Sequence, residues 1–341
     1  MLKRRNFLKN ATVLAAAGSS PIASTWSAAA PQQTKKIGVQ TYSIRRELKQ
    51  DMVGSLTALK KIGFSHIELY GYEQQNKKGS VLGYSLKEYR KILSDVGLEP
   101  TSSHLEPPLQ SIYKFGDGGG TGKGERSIQI EAYTKQNIPA IMEFWKRAIA
   151  DHQELGIPVM VQPAMPVVNT VDDAKLVCDI FNQTGELAKQ ANLRWGYHNH
   201  SAEFKRIGLK RGEDWSSEMA ITPTSYTSEI FYDFLLTHTD PALVFFEMDV
   251  YWAVMGQCDP VSYFNRYPGR FPLLHIKDRD ILGSTGFMNF ASIFEAGYSK
   301  GGLERYYVEL EYPNPAGSTS LSQLESVKRS YDFVANAGFV K

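Results

Sequence analysis

Apolar and polar positions follow two alternating periods along most of the chain. After residue 35, short apolar runs precede longer segments in which apolar residues recur at helical spacing, as Met52, Leu56, Leu59 and Ile62 do. A glycine often ends the helical segment and leads straight into the next apolar run, as in KKIGFSHIEL, SDVGLEPTSS and QELGIPVMVQ. The pattern predicts repeated strand–helix units.

Eight such units can be traced. The predicted strands are 36–44, 64–72, 98–105, 157–163, 193–200, 243–252, 271–278 and 305–313. The predicted helices are 51–63, 85–97, 138–156, 171–191, 228–239, 259–269, 289–297 and 320–338, with an insertion at 205–227. Eight units predict an α/β protein with a single (β/α)8 TIM barrel over 36–341. The alternative is a doubly wound open sheet, which usually carries a glycine-rich phosphate fingerprint that is missing after the first strand.

A glycine-rich run, FGDGGGTGKGER at 115–126, has the composition of a phosphate-binding loop. That motif requires glycine at position 117 and serine or threonine at 124, where this chain has Asp117 and Gly124. We therefore interpret the run as a loop over the barrel mouth.

The first 30 residues differ from the rest. Basic residues including Arg4 and Arg5 precede an apolar, alanine-rich stretch and then small residues, which is the order of an export signal. The paired arginines resemble a twin-arginine signal and predict an exported, periplasmic protein. The apolar stretch is too short and too rich in small residues for a membrane span, so no stable membrane insertion is expected after export.

Charge and cysteine content narrow the range of functions. Beyond residue 30 the chain carries 34 basic and 36 acidic residues, and this near-neutral balance argues against nucleic-acid binding. Two cysteines do not form a disulfide framework, and Cys178 lies in an apolar helical run that predicts a buried thiol.

Polar side chains collect at the predicted carboxyl ends of the strands, where barrel enzymes build their active sites. In chain order they are His66, Glu68, Tyr70, His104, Gln162, His198, His200, Glu203, Glu247, Asp249, Trp252, His275, Lys277, Asp278, Glu309 and Glu311. Any one of them alone could be an inert buried group. Together, several acids facing inward with only Lys277 among them would repel one another, so we predict one divalent metal ion with imidazole and carboxylate ligands.

The order of HIELYG, YHNH, EMDVYWA, HIKD and VELE resembles the sugar phosphate isomerase/epimerase family of xylose-isomerase-like barrels, over essentially all of the chain after residue 35. The resemblance implies one metal held by an acid on strand five, an Asp on strand six, a His on strand seven and a Glu on strand eight. The last three fall on Asp249, His275 and Glu309. Many relatives have Glu-Asn-His where this chain has His198-Asn199-His200, so we take His198 as the fourth ligand, with an exchange of roles between His198 and His200 left open.

The resemblance implies a metal-dependent isomerase or epimerase of a keto sugar or sugar derivative, with proton transfer through a metal-stabilised enediolate. The expected catalytic residues are Glu309, His200 and Lys277. The expected substrate-binding residues are Glu68, His104, Gln162, Glu203 and Trp252. Export favours free sugars and glycosides over phosphorylated ones.

Two other functions stay open. One is a lyase, either an inosose-type dehydratase or an enzyme that eliminates the aglycone of a 3-keto-glycoside. The other is an exported sugar-binding protein without catalysis, although Glu309 and Lys277 beside a metal favour an enzyme. A nuclease of the same superfamily is disfavoured because it would require more metal ligands and a basic surface. The choice among Mn, Mg, Co and Zn, the stereochemistry and the formation of a homo-oligomer are left open.

Overall fold

Eight parallel strands close into a barrel, which confirms the predicted (β/α)8 fold. The computed structural model describes residues 35–75, 78–108, 132–207, 229–311 and 321–341. The barrel strands are β1 Gly38–Gln40, β2 His66–Leu69, β6 Glu99–His104, β7 Val159–Gln162, β8 Arg194–His198, β9 Val244–Asp249, β10 Leu273–Ile276 and β11 Arg305–Val308. Each pairs with the next in this order, and β11 pairs with β1.

Helices surround the barrel. They are α1 Arg45–Gln50, α2 Met52–Ile62, α3 Leu86–Val96, α4 Ile138–Leu155, α5 Val171–Gln190, α6 Phe231–His238, α7 Val250–Met255, α8 Pro260–Arg266, α9 Phe290–Ala296 and α10 Gln323–Asn336. Ser85 and Glu88 form a capping box at the start of α3. Asn192 has a φ of 58° in the turn after α5, the left-handed conformation that glycine adopts after earlier helices. Cys178 is buried, as predicted.

The structure departs from the predicted elements in two places. Three short antiparallel strands, β3 Tyr72–Gln75, β4 Lys78–Val81 and β5 Tyr84–Ser85, form a small sheet between β2 and α3. The predicted sixth strand, 243–252, stops at Asp249, because the Asp249 side chain accepts a hydrogen bond from the Trp252 backbone N–H and starts α7.

The barrel interior is apolar at its amino-terminal end. Val159, Val161, Phe245, Leu273 and Tyr307 form a buried cluster there. A Cβ on Gly196 would lie 2.5 Å from the Phe245 ring, so the aromatic side chain depends on a glycine facing it.

The same end contains His66, which the sequence placed with the carboxyl-end residues. That placement was wrong: the His66 ring packs edge-on against Tyr307, and a Cβ on Gly38 would lie 2.4 Å from its Nε2.

The predicted export signal, the 115–126 loop and most of the 205–227 insertion lie outside the described residues. Within the described ranges, no helix has the length and apolar character needed to cross a membrane.

Candidate metal centre and active site

The carboxyl end of the barrel holds a buried cluster of imidazoles and carboxylates. Parallel strands all end at this face, so residues far apart in sequence meet there. The cluster comprises Glu68 on β2, His104 on β6, His198 on β8, Glu247 and Asp249 on β9, His275 on β10, and Glu309 directly after β11. Six of the seven are at most 5% exposed, and the His104 side chain is 12% exposed.

Four of these residues form what we call the upper ligand set: His198, Asp249, His275 and Glu309. One nitrogen or oxygen atom from each lies within 4.8 Å of the others. Oδ1 of Asp249 caps α7, whereas its Oδ2 is buried without a hydrogen-bond partner. Two imidazoles and two carboxylates suit a divalent transition metal, and a cation would satisfy the unpartnered oxygen. These are the four residues named as ligands from the sequence.

A second group, the lower ligand set, lies deeper in the barrel and consists of His104, His198, Glu247 and His275. Glu247 precedes Asp249 by two residues on β9. Its Oε2 lies 2.9 Å from His104 Nε2, 3.2 Å from His198 Nδ1 and 3.2 Å from His275 Nε2, and its Oε1 is buried without a partner. The sequence placed Glu247 on the same face as Asp249 but gave it no role.

Burial makes the acids of β9 hard to ionise. It raises the pKa of Asp249 to about 7, and the Lys277 ammonium offsets only part of this effect. Burial and the neighbouring Glu68 charge raise the pKa of Glu247 to about 7. For Glu309, burial is outweighed by the positive charges of His275 and Lys277, which lower its pKa below the ordinary value.

The charged neighbours and burial also shift the pKa values of the imidazoles. Burial disfavours a charged His275, but Glu247, Glu309 and Glu68 outweigh it and raise the pKa of His275 well above 6.5. Burial, followed by the charges of His275 and His104, lowers the pKa of His198 well below 6.5. The cluster therefore stabilises positive charge at its centre, which a proton on His275 or a bound cation supplies.

The rim is formed by Lys277, Glu311, Trp252 and His200. Lys277 Nζ lies 2.5 Å from Glu311 Oε1, 3.7 Å from Glu309 Oε2 and 4.7 Å from the centre of the Trp252 ring. Trp252 Nε1–H donates to Glu311 Oε1 at 2.8 Å. The half-buried His200 ring lies 5.2 Å from that of His198 and 6.0 Å from that of Trp252. Glu311 was noted from the sequence without a role.

Three of the five residues predicted to bind substrate are buried and make hydrogen bonds inside the protein. Gln162 is fully buried and its amide bonds to Tyr133 Oη and the Ala164 carbonyl. Glu203 accepts from Tyr197 Oη and from the His200 backbone N–H. Glu68 is fully buried below the upper ligand set. Trp252 and His104, the other two, reach the exposed part of the site.

Asn199 is a residue that the sequence left without a role. Its side-chain amide accepts from the Asp249 backbone N–H at 3.2 Å and donates to the Asp249 carbonyl at 3.3 Å. Tyr232 Oη donates to the same amide oxygen. Asn199 therefore joins the end of β8 to the end of β9 and holds Asp249 in place. Its position between two candidate histidines was the feature of the sequence that could have indicated this role.

Solved structures of other proteins share this architecture. No protein-family model matches the chain, and a comparison with curated proteins found no match. A crystal structure of a sugar phosphate isomerase/epimerase from Parabacteroides distasonis is 42% identical, with 94% of this chain and 100% of that chain covered and a TM-score of 0.75. A second from the same organism is 39% identical, covering 90% and 100%, with a TM-score of 0.73.

A structure of L-ribulose 3-epimerase is 15% identical, covers 88% of this chain and 93% of that one, and has a TM-score of 0.57. At that identity the likeness shows the shared fold alone.

Proposed function

The chain belongs to the sugar phosphate isomerase/epimerase family, and we propose that it is a metal-dependent isomerase or epimerase of a keto sugar or sugar derivative. The observation that carries the proposal is the position of Glu309. Its carboxylate is part of the upper ligand set and lies 3.7 Å from the buried Lys277 ammonium. This combination suits proton removal from a carbon next to a carbonyl group.

The upper ligand set would hold one divalent ion, through His198, Asp249, His275 and Glu309. When bound, the ion polarises the substrate carbonyl and makes the neighbouring C–H more acidic. The unpartnered Oδ2 of Asp249 supports this set.

The protein's own groups would perform the proton transfer. Glu309 takes the proton from the carbon beside the carbonyl, the C–H electron pair forms a carbon–carbon double bond, and the carbonyl electrons move to oxygen. Lys277 stabilises the negative charge that develops on that oxygen. For epimerisation His200 delivers a proton to the same carbon from the opposite face, and the carbonyl re-forms. For isomerisation it protonates the former carbonyl carbon, while the hydroxyl on the first carbon passes its proton to the enolate oxygen and becomes the new carbonyl.

The rim suits a sugar. Trp252 is fixed through its Nε1–H by Glu311 and offers an aromatic surface on which the C–H face of a pyranose or furanose can pack. His104 and His200 offer polar ring nitrogens nearby. The proposed export of the protein favours free sugars or glycosides as substrates.

A lyase is the second candidate, and one observation favours it. The position on β8 where many relatives have an acid is His198, whose Nδ1 faces Glu247. Epimerisation requires proton transfer on both faces of one carbon, whereas elimination requires a base on one side and an acid for the leaving group. Glu309 as base and His200 as acid would suffice: the C–H proton leaves, the double bond forms, and the departing oxygen leaves with the proton of His200.

Reaction in D₂O tests the proposal and separates the two candidates. The purified protein is incubated with a panel of keto sugars and 3-keto-glycosides, with and without chelator, and products are followed by NMR and mass spectrometry. An isomerase or epimerase gives an isomer that differs in composition only by the deuterium taken up, whereas a lyase gives an unsaturated ketone and releases water or aglycone. A sugar that binds without exchange in any condition would instead indicate a sugar-binding protein, and would contradict the proposed catalysis.

A further inference from the structure

Glu68 is the most heavily hydrogen-bonded carboxylate of the cluster. Its Oε2 accepts from Gln40 Nε2 at 2.8 Å and lies 2.5 Å from His275 Nε2 and 3.1 Å from His104 Nε2. Its Oε1 accepts from the Ser102 hydroxyl at 2.6 Å. The donors come from three different strands, and the side chain is fully buried. These contacts fix its position and leave it away from the rim, where substrate would bind.

The contacts of Glu68 determine the tautomer of His275. Nε2 of His275 lies 2.5 Å from Oε2 of Glu68, and Glu68 also accepts from Gln40 and Ser102 as an ionised, acceptor-only carboxylate, so Nε2–H is the donor in this contact. In a neutral ring the lone pair is then on Nδ1. Nδ1 lies 3.1 Å from Glu309 Oε2, so the lone pair points into the upper ligand set.

We propose that Glu68 is a positioning residue: by holding the Nε2–H of His275, it presents the Nδ1 lone pair to a cation in the upper ligand set. A carboxylate behind a metal-binding histidine fixes the ring and increases the basicity of the ligand nitrogen. The inference rests on the proposed function, since it requires that a cation binds. It replaces the role in substrate binding that the sequence suggested for Glu68.

The same contact decides between the two ligand sets. The lower set would require the Nε2 lone pair of His275, but Nε2 carries the proton that it donates to Glu68, a carboxylate that belongs to neither ligand set. The upper set requires the Nδ1 lone pair, and Nδ1 lies 3.1 Å from Glu309 Oε2, so a cation bound there would replace the second ring proton of His275 and interact with both atoms. Glu68 therefore directs the cation to the upper set.

Binding of Mn²⁺ to the purified full chain tests this role. Affinity is measured by calorimetry for wild type, Glu68→Gln and the control Thr101→Val, with folding checked by circular dichroism. Thr101 is buried in β6 and its hydroxyl contacts Tyr307 Oη, so the control loses a buried hydrogen bond in the same barrel without touching His275. We expect Glu68→Gln to weaken binding about 10- to 100-fold, the effect typical of outer partners of metal-binding histidines, and Thr101→Val to change it by less than threefold.

Anomalous diffraction from wild-type crystals grown with Mn²⁺ provides a second measurement that does not depend on any variant folding. The expected peak lies beside Nδ1 of His275, and a peak beside Nε2 would overturn the inference. Wild-type affinity in Glu68→Gln, with the peak beside Nδ1, would overturn the positioning role and leave the proposed function standing. Absence of Mn²⁺ binding by the wild type, repeated with Co²⁺ and Zn²⁺, would overturn the proposed function itself.

Discussion

Replacing Asp249 by asparagine separates two roles that its carboxylate oxygens perform. Oδ1 caps α7 by accepting from the Trp252 backbone N–H at 2.9 Å, and Oδ2 is the unpartnered atom of the upper ligand set. Asparagine caps helices about as well as aspartate, whereas alanine does not cap. We therefore expect Asp249→Asn to keep the helix start and lose the metal, and Asp249→Ala to lose both.

The size of each effect follows from these contacts. Without metal, Asp249→Ala should be about 1 kcal/mol less stable than Asp249→Asn, the usual value of a helix cap. A ligand present at 100 times its dissociation constant adds about 2.7 kcal/mol of stability. If Asp249→Asn weakens binding about 100-fold, the same metal concentration adds only about 0.4 kcal/mol. The metal-dependent rise in melting temperature should then shrink by about 4 °C.

Elemental analysis after dialysis and melting curves with and without metal measure both effects. Wild type should hold about one ion per chain, and both variants should hold far less. Retention of one ion with wild-type affinity by Asp249→Asn would show that Asp249 is not a ligand. Equal stability of the two variants without metal would show that its Oδ1 does not stabilise the start of α7.

Four further predictions concern the remaining site residues, a buried histidine and the amino terminus. Glu309→Gln should fold, and hydrogen exchange between the substrate carbon and solvent should slow by about 10²- to 10⁴-fold. His200→Asn should keep the metal while losing turnover. Loss of metal in His200→Asn would instead assign the ligand role to His200. His152 is fully buried and its pKa is lowered to about 4 by burial, so below pH 6.5 the unfolded chain binds a proton that the folded chain does not. His152 should therefore contribute a fall in stability of about 2 kcal/mol between pH 8 and pH 5, so the fall measured by urea unfolding at both values should be smaller by about that amount in His152→Leu; an equal fall would rule out this assignment. Replacing both Arg4 and Arg5 by lysine should leave the precursor in the cytoplasm on fractionation, and normal export would contradict a twin-arginine signal.

The sequence alone was sufficient to predict the barrel, because its information is periodic and local. Apolar residues at helical spacing, the capping box at Ser85 and the glycine stops determine where strands and helices alternate, and the eight repeats leave few topologies. The meeting of His198, Asp249, His275 and Glu309 also followed, since the carboxyl ends of all barrel strands lie at one face. The small sheet β3–β5 could not be predicted from the sequence, because its strands lack a regular apolar alternation.

The tertiary structure alone decided how deep each side chain lies and which atoms it contacts. Alternation along a strand indicates which residues face inward but not their level along the barrel axis. The sequence pattern therefore could not distinguish His66 from Glu68. The structure places His66 beside Tyr307 in the apolar layer and Glu68 next to His104 and His275. The hydrogen bond between Glu68 and His275 joins residues 207 positions apart, and the proposed positioning role of Glu68 depends on that contact. No local pattern encodes such a contact, because it forms only when the stagger of closed, parallel strands brings the two side chains to the same level.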